Sequence, residues 1–174
     1  MALLAEAIVE EWLNRDGWFT IRGIKIGAHE IDILAIKPTA SGIQRRHLEV
    51  QAAPNPIGYI TPKAGRQPGQ RADFVGVRSN EELRKSVSEW VQKKYSHPQI
   101  DEQRKALVDG EWERVFVVHK FLHLEELDLI RNEKITVYEL KEVIASFRRD
   151  DTVVSRAAGA DLVELVTGFD SVLN

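Results

Sequence analysis

Two short apolar segments, each interrupted by a carboxylate, constrain this chain more than any other feature. Both lie within residues 27–52, GAHEIDILAIKPTASGIQRRHLEVQA. Asp32 sits inside Ile31-Asp32-Ile33-Leu34-Ala35-Ile36, and Glu49 inside Leu48-Glu49-Val50-Gln51. The segments read as strands over 29–37 and about 45–52, with the turn-forming run 38–42 between them. Side chains alternate along a strand, so Glu30, Asp32 and Leu34 share one face, as do His47, Glu49 and Gln51. If the strands pair, Asp32 and Glu49 lie side by side. Desolvating a carboxylate is costly without a partner, so two on adjacent strands require a cation. Two carboxylates and a nearby carbonyl oxygen make a hard-oxygen site of the kind Mg²⁺ or Mn²⁺ prefers.

The surrounding pattern is that of an α/β domain. Residues 2–15 repeat Leu4, Ala5, Ile8, Val9 and Trp12 at helical spacing, and Asp16-Gly17 ends the helix. Residues 18–26 alternate as a strand, and Gly27-Ala28 turns the chain into 29–37. Residues 53–79, rich in Gly and Pro, read as a long loop, of a length that is either functional or disordered and solvated. Ser79-Asn80-Glu81-Glu82 starts a helix that runs to about residue 95, with Leu83, Val87, Trp90 and Val91 on its apolar face. A short helix follows over 99–108, then a buried strand over 112–120, a helix over 122–132, a strand over 135–140, a helix to about 149 and a last helix over 159–167. Three consecutive strands suit an antiparallel meander, and strands separated by helices suit parallel pairing. The expected fold is a single domain built on a mixed five-stranded sheet flanked by helices.

Composition narrows the function classes. The 174 residues contain no cysteine, which excludes disulfides, thiolate catalysis and cysteine zinc sites. The opening MALLAEAIVEEWL carries three glutamates and no basic segment, unlike a signal peptide, and no apolar run approaches the roughly 20 residues of a membrane helix. A cytoplasmic protein with no membrane partner is expected. No Gly-rich phosphate loop follows a strand and no serine elbow is present. The net charge of −3 gives no whole-protein attraction to nucleic acid, but 53–79 holds Lys63, Arg66, Arg71 and Arg78 against Asp73 alone.

The acid-bearing segments resemble the restriction-endonuclease-like, or PD-(D/E)XK, nuclease superfamily, most closely its small Holliday-junction-resolvase-like members. The resemblance is carried by Glu6, Gly17-Trp18, Glu30-Ile31-Asp32-Ile33-Leu34-Ala35 and Leu48-Glu49-Val50-Gln51, and covers about residues 1–52. It implies a restriction-endonuclease-like fold and Mg²⁺-dependent hydrolysis of DNA phosphodiesters. Asp32, Glu49 and the Val50 carbonyl would be metal ligands, and Glu6 would hold a bound water or a second metal. Position 51 departs from the pattern. The family usually has lysine there, whereas glutamine can hydrogen-bond a water but supplies no charge and no base. Some members work with glutamine. The resemblance also implies a homodimer.

DNA is the expected partner, with Arg45 and Arg46 against the strand being cut and Lys63, Arg66, Arg71 and Arg78 tracking phosphates from the loop. Arg84, Lys85, Lys93 and Lys94 read as a solvated helix face. His29 and His47 flank the acids, with structural roles favoured over substrate contact, and the His119/His123 spacing is attributed to chance. Trp12, Trp90 and Trp112 are expected in the core, with Trp18 beneath the first helix. Two functions follow: a metal-dependent deoxyribonuclease, or a catalytically inactive protein of the same fold that binds nucleic acid or a protein partner.

Overall fold

Helix α1 (Ala2–Arg15) turns Ala5, Ile8, Val9 and Leu13 inward at helical spacing, while Leu4 stays exposed. Gly17, at φ +83°, reverses the chain, and Trp18 N–H donates to the Leu13 carbonyl at 3.0 Å. Trp18 is thereby buried against the same cluster as Leu13, as the sequence suggests. The computed structural model describes residues 2–53, 57–65 and 77–147. The helix expected over 159–167, and the end of the one expected to reach 149, lie outside the described residues.

Strands β1 (Phe19–Ile26), β2 (His29–Thr39) and β3 (Gly42–Gln51) form the antiparallel meander. Gly27, at φ +58°, supplies the left-handed first position of the tight β1–β2 turn. The β2–β3 turn is tighter than the sequence suggests. Pro38 pairs with Ile43 and Thr39 with Gly42, leaving only Ala40-Ser41 between the strands. Pro38 is tolerated because β1 ends at Phe19↔Ile36, so β2 is an edge strand there.

Helix α2 (Asn80–Tyr95) starts in a reciprocal capping box: Glu82 N–H donates to Ser79 Oγ at 3.2 Å, and Ser79 N–H donates to Glu82 Oε2 at 3.0 Å. Then come α3 (Pro98–Leu107), β4 (Glu113–Val118), α4 (Leu124–Asn132), β5 (Ile135–Glu139) and α5 (Leu140–Ser146). The five strands lie in chain order, β1-β2-β3-β4-β5, with the β3–β4 and β4–β5 pairs parallel. The expected mixed five-stranded α/β sheet is therefore present.

Alternation sends the central strands' side chains to two cores. Leu48, Val50, Val115 and Val117 pack under α1 and α5. Phe116 and Val118 pack under α2 and α4, against Val87, Trp90, Leu127 and Ile130. A third cluster joins Ile31 and Leu34 to Ile100 of α3. Trp90 is core, but Trp12 and Trp112 are only half-buried at cluster margins.

Candidate active site

The β2–β3 ladder stops at Ile33↔Leu48, one residue short of both acids. Beyond it, β2 stays with β1 as far as Ile26↔His29, and β3 stays with β4 as far as Gln51↔Val118. The sheet forks. The Val50 N–H is taken by Asp32 Oδ2 at 2.7 Å, so a carboxylate replaces the missing ladder bond. Asp32 and Glu49 thus flank the fork rather than sit across an intact ladder. The fork opens a cavity of about 450 Å³ lined by Glu6, Glu30, Asp32, Glu49, Val50, Gln51, Trp90 and Lys94, among others. The two expected carboxylates, Val50, Gln51 and Glu6 are therefore together in one cleft.

Burial dominates the cleft's electrostatics. Glu49 is only 2% exposed, and desolvation pushes its pKa up to about 7 against the opposing pull of Lys94. Asp32 is raised to about 6, first by desolvation and then by the Glu49 charge. Glu6 is raised by burial and by Asp32. Lys94, in the last turn of α2, has its ammonium nitrogen Nζ paired with Glu49 Oε2. Burial pulls its pKa down, but Glu49 and Asp32 outweigh that, so the net shift is upward and the ammonium stays charged at neutral pH.

Glu49 has a second, neutral partner. His47 is fully buried, with Nε2 at 3.2 Å from Glu49 Oε1 and Nδ1 at 3.3 Å from Arg104 Nη1. A guanidinium can only donate, so Nδ1 is the acceptor and Nε2 carries the proton given to Glu49. Burial and Arg104 hold the His47 pKa well below its usual value, so the ring is neutral. Arg104 is itself fixed by Asp101 and by the Tyr95 carbonyl at 3.0 Å.

The floor of the cleft is tied to the segment 57–61. Gln51 Nε2 donates to the Ile60 carbonyl at 3.3 Å. The buried Glu126 of α4 accepts from Ile60 N–H at 2.6 Å and Thr61 N–H at 2.8 Å. Arg78 donates to the Thr61 carbonyl at 3.0 Å and covers the Tyr59 ring at 4.1 Å. Lys63 is exposed beside Glu82 at 3.7 Å. Arg66 and Arg71 lie outside the described residues.

Some expected residues lie apart from the cleft, and one expected to be solvated lies in it. Arg45 and Arg46 are not at the acid cleft: they line a separate cavity near the start of β3, and Arg46 pairs with Glu113 at 2.7 Å. The α2 basic residues are not uniformly solvated, because Lys94 turns into the cleft. His29 stacks on His97, with ring centres 3.8 Å apart, and does not line the acid cleft.

Lys94, Arg104 and Glu126 escaped the sequence reading, yet each carries the same signal. Lys94 is four residues after Trp90, Arg104 four after Ile100, and Glu126 four before Ile130, all of them buried apolar residues. A charge that continues a helix's apolar stripe points inward.

Among the described residues no three acidic or histidine side chains converge as a ready metal cage. The donor set is two carboxylates with Glu6 on the same cavity. That suits Mg²⁺, which keeps several waters and uses one or two carboxylates. The raised pKa values of Asp32 and Glu49 are consistent with a pair under-compensated by Lys94 alone. Among the described residues no helix is long and apolar enough to cross a membrane.

No family model matches the chain, and no curated protein matches it. Among solved structures it is similar to the crystal structure of AF1548, a protein of unknown function. The two share 12% identity over 97% of this chain and 78% of that one, with a TM-score of 0.46.

Proposed function

We propose that this protein is a metal-dependent nuclease of the PD-(D/E)XK type that hydrolyses DNA phosphodiester bonds. The observation that carries the reading is the forked sheet, which holds Asp32, Glu49, Gln51 and Glu6 in one cleft and brings a lysine to it from α2. The residues fit a Mg²⁺ or Mn²⁺ ion held by Asp32, Glu49 and the Val50 carbonyl. When bound, such an ion supplies Lewis-acid stabilisation of the phosphate and acidifies a water.

The chain's own groups do the rest. His47 donates its Nε2–H to Glu49 and fixes that carboxylate's rotamer. Lys94 stays protonated, so it acts as a charge and a donor toward the phosphate rather than as a base. It supplies the positive charge that glutamine at position 51 lacks. Gln51 spends its amide N–H on Ile60, leaving its carbonyl oxygen to orient a water. Glu6 can accept a hydrogen bond from a water at the same cavity. Arg78 and Lys63, on the segments beside the cleft, supply cations for a phosphate backbone.

The test is incubation with branched, duplex and single-stranded DNA in Mg²⁺ and in Mn²⁺, beside Asp32→Asn. Cleavage by the parent and none by the variant supports the enzyme. Equal cleavage by both removes Asp32 from the mechanism. DNA binding without cleavage on every substrate favours the non-catalytic reading, which the tethering of Gln51 to Ile60 makes the second choice.

A further inference from the structure

The second cavity, about 840 Å³, is near the start of β3 and β4 under α3. It shares none of its lining residues with the acid cleft. Along β3, Arg45 is four residues from Glu49, roughly 13 Å of extended chain. Six basic and three acidic side chains line it, a net +3 in a protein whose whole charge is −3. Two of the acids are committed: Asp101 to Arg104 and Glu113 to Arg46. Among the described residues Arg45, Lys105, Arg114 and Lys134 have no ion-pair partner, and only Glu111 opposes them.

Three buried donors on this cavity have no acceptor among the described residues: Arg45 Nε, Arg104 Nε and Trp112 Nε1. They come from β3, from α3 and from the approach to β4. Arg104 is more than nine-tenths buried. All three groups donate and none accepts, so the side chains on this wall are donor-rich and leave any acceptor to come from a ligand. Burying a donor unpaired costs more than a made bond gains, which makes three on one cavity informative. Gly110 extends the arrangement. A Cβ there would come within 2.6 Å of Arg45 Cζ, so the bare backbone makes room for the guanidinium over it.

We propose that this cavity is a second ligand site that takes a phosphate monoester of nucleotide size. The terminal oxygens of a phosphate monoester match a net positive wall whose Arg45, Lys105, Arg114 and Lys134 have no ion-pair partner among the described residues, and charge-assisted bonds of this kind are the strong ones. Trp112, half-buried on the same lining, adds an aromatic surface of the kind that suits a base or sugar. The volume falls within the range of small-ligand pockets. The phosphate could belong to a free nucleotide or to the 5′ end of a nucleic acid chain. The site does not depend on the nuclease reading of the acid cleft.

Isothermal titration of the full chain, with EDTA present so that no metal occupies the cleft, tests it. The probes are inorganic phosphate, thymidine 5′-monophosphate, a 5′-phosphorylated dinucleotide and its 5′-hydroxyl counterpart. The phosphomonoesters should bind, and the 5′-hydroxyl dinucleotide should bind about tenfold more weakly or worse. Arg45→Gln should weaken binding by about tenfold and Trp112→Phe by a few-fold, while Lys94→Gln leaves it unchanged. Thermal melts of each variant confirm that it is folded. Equal affinity for the monophosphate and the phosphorylated dinucleotide assigns a free nucleotide; tighter binding of the latter assigns a chain end. No binding of any phosphomonoester at millimolar concentration overturns the proposal. So does binding that Lys94→Gln abolishes, or that neither Arg45→Gln nor Trp112→Phe alters.

Discussion

Lys94 of α2 and Glu49 of β3 form an ion pair inside the fork of the sheet, with Glu49 almost fully buried and the Lys94 side chain 30% exposed. The pair puts a permanent cation where the motif position, Gln51, has none. It is the relationship on which the proposed chemistry most depends.

Lys94→Gln should lower DNA cleavage by about 10²-fold in kcat, the order expected for losing one charge-stabilising donor. Lys94→Arg should recover part of it. Single-turnover rates with saturating DNA separate this from weaker binding. Unchanged rates in Lys94→Gln would remove the residue from the mechanism.

The cleft acids make metal-free stability pH-dependent. Burial raises Asp32 to about 6 and Glu49 to about 7. A raised folded pKa means the folded state binds protons more tightly than the unfolded one. The stability this contributes is complete below the unfolded pKa, near 4, and is lost as pH rises through 6–7. Between pH 5 and pH 8 the parent should lose more stability than Asp32→Asn does, by about 1.4 kcal/mol. Thermal or urea melts in EDTA measure it. Mg²⁺ should restore more stability at pH 8 than at pH 5, and an identical pH slope in parent and variant would contradict the assignment.

Glu126→Gln should loosen the segment that Gln51 grips. The carboxylate accepts from two backbone N–H groups and from Thr61 Oγ1, all as acceptor. An amide nitrogen in place of one oxygen sets donor against donor, at a cost of about 1–3 kcal/mol. Hydrogen exchange at the Ile60 and Thr61 amides should accelerate accordingly. Protection as strong as in the parent would show that the carboxylate does not anchor the segment.

His47→Phe keeps a ring in the core but removes the donor to Glu49 and leaves Arg104 Nη1 facing carbon. A loss of about 2–3 kcal/mol is expected, because a buried donor is stranded. Arg104→Met in the same background should recover part of that loss, since both partners are then apolar. Additive losses in the double variant would refute the coupling.

The order of the elements, the antiparallel meander and the two acid-bearing strands are all legible in the amino-acid sequence. These follow from local periodicity, turn residues and the short links between β1, β2 and β3, where neighbours in the chain are neighbours in space. Asp32, Glu49 and Gln51 were legible because strand alternation fixes their faces. Which helix covers those faces is set by long-range packing and is not legible in the chain. Lys94 meets Glu49 because α2 packs across the central strands, and Arg104 meets His47 because α3 packs alongside. Arg45 and Arg46 are adjacent to the acid-bearing segment in sequence, but a strand's rise carries them to its other end and into a different cavity. Periodicity along one element shows which side chains turn inward; it carries no information on what waits for them there.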